Sequence, residues 1–206
     1  MITNFDLYLA SQSPRRSELL KQIGISFAVL AVEVDETTKD NERAEDYVLR
    51  LAEEKAKMGW FSAKHQCDKA VLGSDTIVVI NGRILGKPDN REHAISMLTS
   101  LSGKTHQVMT AVALAQKGED PTKPELSSVI SVSDVTFKSL SSLEIEQYWQ
   151  TGECSDKAGA YAIQGIAAAF ITHLSGSYSG VMGLPLHETV ELLHQAGIST
   201  DFLVVS

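Results

Sequence analysis

The residues best able to do chemistry fall in a few short stretches. Ser11-Gln12-Ser13-Pro14-Arg15-Arg16 joins a strand end to a helix start. Helix N-termini carry free N–H groups and a partial positive charge, so they attract anions. A serine hydroxyl and two guanidinium forks beside them suit a phosphate. Two arginines in a first helical turn are unfavourable unless something anionic compensates. A solvated pair behind a serine cap is the plainer alternative, and spacing does not choose between them. Asp35-Glu36 lies in a polar loop directly after a strand, where acidic residues are usually just solvated. Lys55 follows Val48, Leu51 and Ala52 by seven, four and three residues, so it continues an apolar helix face. A lysine there either snorkels to water or points its ammonium into a site.

Gly73-Ser74-Asp75-Thr76 interrupts two apolar strand segments, AVLG and TIVVI. Aspartate is a poor strand residue, and a buried carboxylate is costly unless paired or bound to a metal. A turn aspartate is the alternative. Lys87, in Gly86-Lys87-Pro88, stands at the mouth of the hairpin that follows; alone it reads as a solvated loop lysine. The stretch 156–165, DKAGAYAIQG, has small residues that allow close backbone approach, and Gln164 offers both a donor and an acceptor for a base edge. A tight loop with no ligand fits as well. Several familiar motifs fail. Gly103-Lys104-Thr105 resembles the end of a phosphate-binding loop, but the first glycine that loop needs is Leu98 here. There is no GxGxxG after a strand, no HExxH and no GxSxG, and none of the six histidines pairs with a cysteine at ligand spacing. Spacing alone therefore yields a phosphate-binding helix start, two acidic positions and two oddly placed lysines, compatible with metal-assisted phosphate chemistry.

The elements that must position these residues are readable in outline. A strand at 6–10 leads to a helix opened by Ser13-Pro14 and closed at Gly24, with Leu19, Leu20 and Ile23 buried. A strand at about 27–32, a polar loop at 33–43 and a helix at 44–58 follow. Next comes strand, break at Gly73-Ser74-Asp75, strand, Asn81-Gly82 turn, strand. A helix at 91–102 precedes two β-rich segments, 105–116 and 127–138, joined by a long loop at 118–124. Ser141 and Glu144 form a capping box that opens a helix to about Thr151. A strand at about 168–174 and a helix from Pro185 to about Ala196 complete the chain. Helices and strands alternate with hairpins in the middle, so the expected class is α/β with a mixed central sheet flanked by helices.

Length and charge bound the rest. At 206 residues, 43% hydrophobic and 21% charged, the chain fits one globular domain rather than a disordered or fibrous segment. A formal net charge of −8 argues against a general nucleic-acid binder, though not against a local cationic pocket for one nucleotide. No apolar run approaches the roughly 18 residues that a spanning helix needs. The N-terminus has no basic region before an apolar stretch, so a cleaved signal is not expected and a cytoplasmic location is. Cys67 and Cys154 cannot supply a disulfide framework or a complete cysteine zinc site.

LASQSPRRSELL (9–20), Asp35-Glu36, LAEEKA (51–56), GSDT (73–76), LGKP (85–88), LSGKTHQVMTAVAL (101–114), DKAGAYAIQG (156–165) and GSYSGVMGLPLHET (176–189) together resemble the Maf family, in that family's order and over nearly the whole chain. Ser74 and Ala162 stand where alanine and glycine are commoner. The paired arginines, Thr76 and Gln164 resemble the branch acting on dTTP and UTP. The branch for 7-methyl-GTP typically carries an aromatic residue in place of Arg15. The resemblance implies a single domain over 1–206, with two lobes around a cleft as in inosine triphosphate pyrophosphatase-like folds. It implies a nucleoside triphosphate pyrophosphatase releasing a nucleoside monophosphate and pyrophosphate, with house-cleaning of modified nucleotides as one role. The assignments it suggests are Ser13, Arg15 and Arg16 on the phosphates, and Glu36 and Asp75 on Mg²⁺ or Mn²⁺. Asp75 would also be the base, Lys55 and Lys87 would neutralise phosphate charge, and Thr76 and Gln164 would select the nucleobase. A nucleoside triphosphate is the implied partner, with no nucleic acid and no membrane; a homodimer is left open. The alternative function is a nucleotide-binding regulator of septum formation at cell division, a role with which the family is associated.

Overall fold

A computed structural model describes residues 5–63, 69–120 and 122–200; Cys67 lies outside them. Among the described residues seven strands form one mixed sheet, in the order β2-β1-β3-β5-β6-β7 with β4 paired to β3. They are β1 (Leu7–Ala10), β2 (Phe27–Val29), β3 (Val71–Ile80), β4 (Arg83–Leu85), β5 (Thr105–Lys117), β6 (Pro124–Phe137) and β7 (Ile171–Ser175). The helices are α1 (Pro14–Gln22), α2 (Ala44–Ala63), α3 (Arg91–Leu101), α4 (Ser142–Gln150), α5 (Tyr178–Met182) and α6 (Leu186–Gln195). Contacts divide the chain into two compact units. The first takes the chain up to Asp75, Thr110–Ile130 and the chain from Gly183; the second takes Thr76–Met109 and Ser131–Met182. Among the described residues no helix is long and apolar enough to cross a membrane.

In the first unit β1 lies parallel to both β2 and β3, with Leu9 opposite Val29 and Leu72. All of β1 is buried, which explains its continuous apolar run. α1 starts with Pro14 at its first position, where the missing N–H costs nothing. Ser13 occupies the N-cap, but its side chain makes no capping bond. α2 buries Val48, Leu51, Ala52 and Ala56 and runs past the expected end at 58 to Ala63, because Gly59 and Trp60 continue the buried face.

The expected break at Gly73-Ser74-Asp75 does not occur. β3 runs unbroken through all three residues. Gly73 is there because α2 lies against it: a Cβ would stand 2.4 Å from the Ala52 carbonyl oxygen and 2.6 Å from the Ala56 nitrogen. Asp75 stays in the strand because its carboxylate finds a lysine, which removes the need for a turn.

In the second unit Asn81 and Gly82 take φ of 50° and 72°, the left-handed pair a tight hairpin requires, and Ile80 pairs with Arg83 across the turn. The capping box at Ser141 and Glu144 is present in both directions. The core gathers Val78, Leu98, Phe137, Tyr148, Tyr161 and Phe170. The strand expected at 168–174 begins later: 166–170 is a 3₁₀ turn and the strand covers Ile171–Ser175. That turn is held by hydrogen bonds from its own backbone to Glu153, a partner beyond the reach of local periodicity.

Candidate active site

The polar cluster of the first unit centres on Lys55. Its apolar position on α2 turns the ammonium inward rather than to water, and only 13% of the side chain is exposed. Nζ donates to Glu36 Oε1 at 2.9 Å and to Asp75 Oδ1 at 2.7 Å. Three separate pieces of chain thus meet at one ammonium: the 33–43 loop, α2 and β3. Asp75 is the buried partner and Glu36 the open one, with side-chain exposures of 11% and 54%. Burial pushes the Asp75 carboxyl above its ordinary value, outweighing the opposing pull of Lys55 and Arg16. Asp35 faces elsewhere: it accepts the Thr37 N–H at 2.9 Å and closes a local turn.

Arg16 completes the charge pattern. Its Nε donates to the Gly183 carbonyl at 2.8 Å and its Nη1 to Ser11 Oγ at 3.1 Å. Ser74 Oγ donates to the same Gly183 carbonyl at 3.1 Å, so the two ends of the unit are tied at one oxygen. Burial lowers the Arg16 guanidinium, while Asp75 and Glu36 hold it charged. Ser11 Oγ also accepts the Ser13 N–H at 3.2 Å, fixing the turn into α1. Sequence reasoning gave no role to Ser11, Ser74 or Gly183. Their traces were membership of the SQSPRR, GSDT and GSYSGVMGLPLHET (176–189) stretches and, for Ser74, its place where alanine is commoner.

Ser13, Arg15, Arg16, Glu36, Lys55 and Asp75 therefore belong to one unit, and Glu36, Lys55 and Asp75 are in direct contact. Thr76, Lys87 and Gln164 belong to the other. Thr76 directly follows Asp75 and is half-buried, whereas Lys87 and Gln164 are exposed. Gly159, in the turn that opens the Gln164 segment, donates its N–H to the Gly86 carbonyl beside Lys87 at 3.0 Å.

The donor set suits a hard divalent cation of the magnesium kind. Such ions take one or two carboxylates and complete their shell with water and substrate phosphates. Glu36 and Asp75 are two carboxylates that could serve in this way, both bonded to the Lys55 ammonium. Among the described residues no group of three or more His, Cys, Asp or Glu could hold a metal by itself, so a closed zinc-type site is not what this donor set builds.

The mixed sheet, the arginine-bearing helix start and the carboxylates around Lys55 are the features to set beside known proteins. The model of the Maf-like protein family matches residues 6–196, and the chain belongs to that family. It is 49% identical over 196 residues to a Pseudoalteromonas atlantica protein named dTTP/UTP pyrophosphatase, covering 95% of this chain and 99% of that one. Proteins of the same name from Alkalilimnicola ehrlichii and Escherichia coli O157:H7 are 51% and 50% identical, each match covering over nine-tenths of both chains.

Proposed function

We propose that this chain is a nucleoside triphosphate pyrophosphatase that hydrolyses dTTP and UTP to the nucleoside monophosphate and pyrophosphate. The observation that carries the reading is the bonding of one inward lysine, Lys55, to both Glu36 and Asp75. It stands in a chain about half identical to proteins named for that reaction. Those names favour the hydrolase over a nucleotide-binding regulator of septum formation.

Ser13, Arg15 and Arg16 bind the triphosphate at the N-terminus of α1, where dipole and guanidinium charge add. Glu36 and Asp75 hold Mg²⁺ or Mn²⁺. When bound, that cation offsets phosphate charge and stabilises the pyrophosphate leaving group. Asp75 accepts the proton of the water that attacks the α-phosphorus. Its raised carboxyl pKa brings it closer to the working pH of a base. Lys55 and Lys87 neutralise charge that builds on the phosphate oxygens. Thr76 and Gln164, with Arg15, select the pyrimidine. The chain is read as one functional domain over 1–206, at work among free nucleotides in the cytoplasm.

Pyrophosphate release across canonical and modified triphosphates, with and without metal, tests this. dTTP and UTP should lead the purine triphosphates. Chelation should stop turnover, and Mg²⁺ or Mn²⁺ should restore it. Fastest turnover of 7-methyl-GTP or inosine triphosphate, or full activity in chelator, overturns the reading.

A further inference from the structure

Glu36 sits in a stretch with no helix or strand, and more than half of its side chain is open to solvent. A loop carboxylate of this kind has many conformations to lose before it can hold anything in a fixed place. The loop is nonetheless fastened at several points: Lys55 bonds the Glu36 carboxylate itself, and two further side chains of α2 hold the backbone around it. Tyr47 Oη donates to the Glu36 carbonyl oxygen at 2.7 Å. Arg50 Nη2 donates to the next carbonyl, that of Thr37, at 3.1 Å. The Arg50 fork also grips the Glu42 carboxylate, Nε to Oε1 at 2.6 Å and Nη2 to Oε2 at 2.8 Å. Glu42 Oε2 in turn accepts the Lys39 N–H at 3.0 Å. The guanidinium carbon lies 5.4 Å from the centre of the Tyr47 ring, so the two side chains brace each other.

We propose that Arg50, braced by Tyr47, is a positioning residue for Glu36: it locks the 36–42 backbone onto α2, the helix that carries Lys55, so that the Glu36 carboxylate is held ready for the divalent cation. The inference rests on the reading of Glu36 as a ligand of that cation. The geometry needs an arginine. Only a planar fork grips both Glu42 oxygens and still reaches the Thr37 carbonyl; a lysine presents a single point. The grip is strong enough to hold the Glu42 carboxyl down at about 2, chiefly through its bonds to Arg50. Arg50 also reaches Glu54, but only at 3.4–3.5 Å, which makes Glu54 a minor partner. α2 keeps its own apolar face of Val48, Leu51, Ala52 and Ala56, so the helix does not depend on Arg50 for its packing.

The test uses the full-length Arg50→Gln, Arg50→Lys, Tyr47→Phe, Glu36→Gln and Glu54→Gln proteins. Mn²⁺ binding is read by electron paramagnetic resonance in the presence of a non-hydrolysable α,β-imido analogue of UTP. The Mg²⁺ half-saturation of pyrophosphate release, the nucleotide KM at saturating Mg²⁺ and the melting temperature are read alongside. Removing a group that orients a metal ligand typically weakens the metal by about 10- to 100-fold. Arg50→Gln should raise both the Mn²⁺ dissociation constant and the Mg²⁺ half-saturation by that amount. kcat should recover at high Mg²⁺, and KM at saturating metal should stay near wild type. Arg50→Lys should restore little of the loss, Tyr47→Phe should shift the same quantities less, and Glu54→Gln should shift nothing. If Glu36→Gln weakens the metal while Arg50→Gln and Tyr47→Phe only lower the melting temperature, the lock is a structural staple and the proposal falls. If Glu36→Gln itself leaves the metal titration unchanged, the reading of the site falls and the proposal with it.

Discussion

Two polar networks in this chain are built to opposite ends. In the first unit Lys55 bonds to Glu36 and Asp75, each brought from a different element, and burial pushes Asp75 toward its neutral form. In the second unit Glu153 accepts the Ile166 N–H at 2.8 Å, the Ala167 N–H at 3.3 Å and the Tyr148 hydroxyl at 2.8 Å. Tyr148 Oη accepts the Ala162 N–H at 3.3 Å, so the segment carrying Gln164 is pinned on both sides. The carboxylate there organises backbone, and its partners are ones that any condition leaves in place. The carboxylates of the first network organise charge, and one of them is held where its ionised form costs free energy. A network of the first kind is a place to do chemistry; one of the second kind is a place to hold shape.

The contrast is sharpest at Asp75. Asp75→Asn should lower turnover by about 10²–10⁴-fold, the usual contribution of a general base, with weakened metal binding adding to it. The melting temperature of the metal-free protein should hold or rise, because the raised pKa means that the ionised carboxylate opposes folding at neutral pH. The expected relief comes mainly from burial; repulsion from Glu36 is the smallest cause, since Lys55 stands between the two. Turnover and thermal unfolding of this one variant, each with and without Mg²⁺, decide it. Retention of more than about a tenth of wild-type turnover, well short of the loss expected for a base, removes Asp75 from the mechanism.

The second unit also holds a weak point, outside the Glu153 network, at His106. Its Nε2 bonds to Tyr161 Oη at 2.8 Å, but its Nδ1 is buried without a partner. Burial lowers its pKa from 6.5 to about 4, with Asp134 pulling weakly the other way. The unfolded chain therefore takes up this proton near pH 6.5 while the folded one resists it until about pH 4. Stability should be full above pH 6.5 and fall as the pH drops toward 4, by on the order of 3 kcal/mol. Melting temperatures across that window should fall less steeply in His106→Gln; an unchanged slope places the acid sensitivity elsewhere.

The smallest expected effect is at Glu153. Glu153→Ala strands the Ile166 and Ala167 N–H groups and should cost about 1–3 kcal/mol by urea denaturation. Its Mg²⁺ titration should match wild type. A shifted titration with unchanged stability would erase the distinction between the two networks.

Much of the fold was legible because its signals are local. Pro14 at the helix start, the Asn81-Gly82 hairpin, the Ser141–Glu144 capping box and the period of α2 each involve residues within about a turn of one another. The odd placement of Lys55 on an apolar face was also visible, and Lys55 lies at the centre of the polar cluster of the first unit. Besides the end of α2, two features misled. Asp75 read as a break, because a strand aspartate is unfavourable until its partner is known. Residues 168–170 read as the start of a strand, because the bonds that curl the 166–170 turn come from Glu153.

What the sequence determined by itself was the type and order of the elements and the chemical kinds of residue available for phosphate and metal. Which of those residues meet was decided only by the tertiary structure. Lys55 reaches Glu36 and Asp75 across 19 and 20 residues, and Arg16 reaches Gly183 across 167. Arg50 was invisible as a functional residue, since on a helix surface an arginine beside glutamates is an ordinary solvated pattern. Its grip on the Glu36 loop exists only because the chain folds back on α2. Local rules act through backbone geometry over three or four residues. A buried charge is stabilised by whichever group the fold carries to it, and no spacing in the chain encodes that.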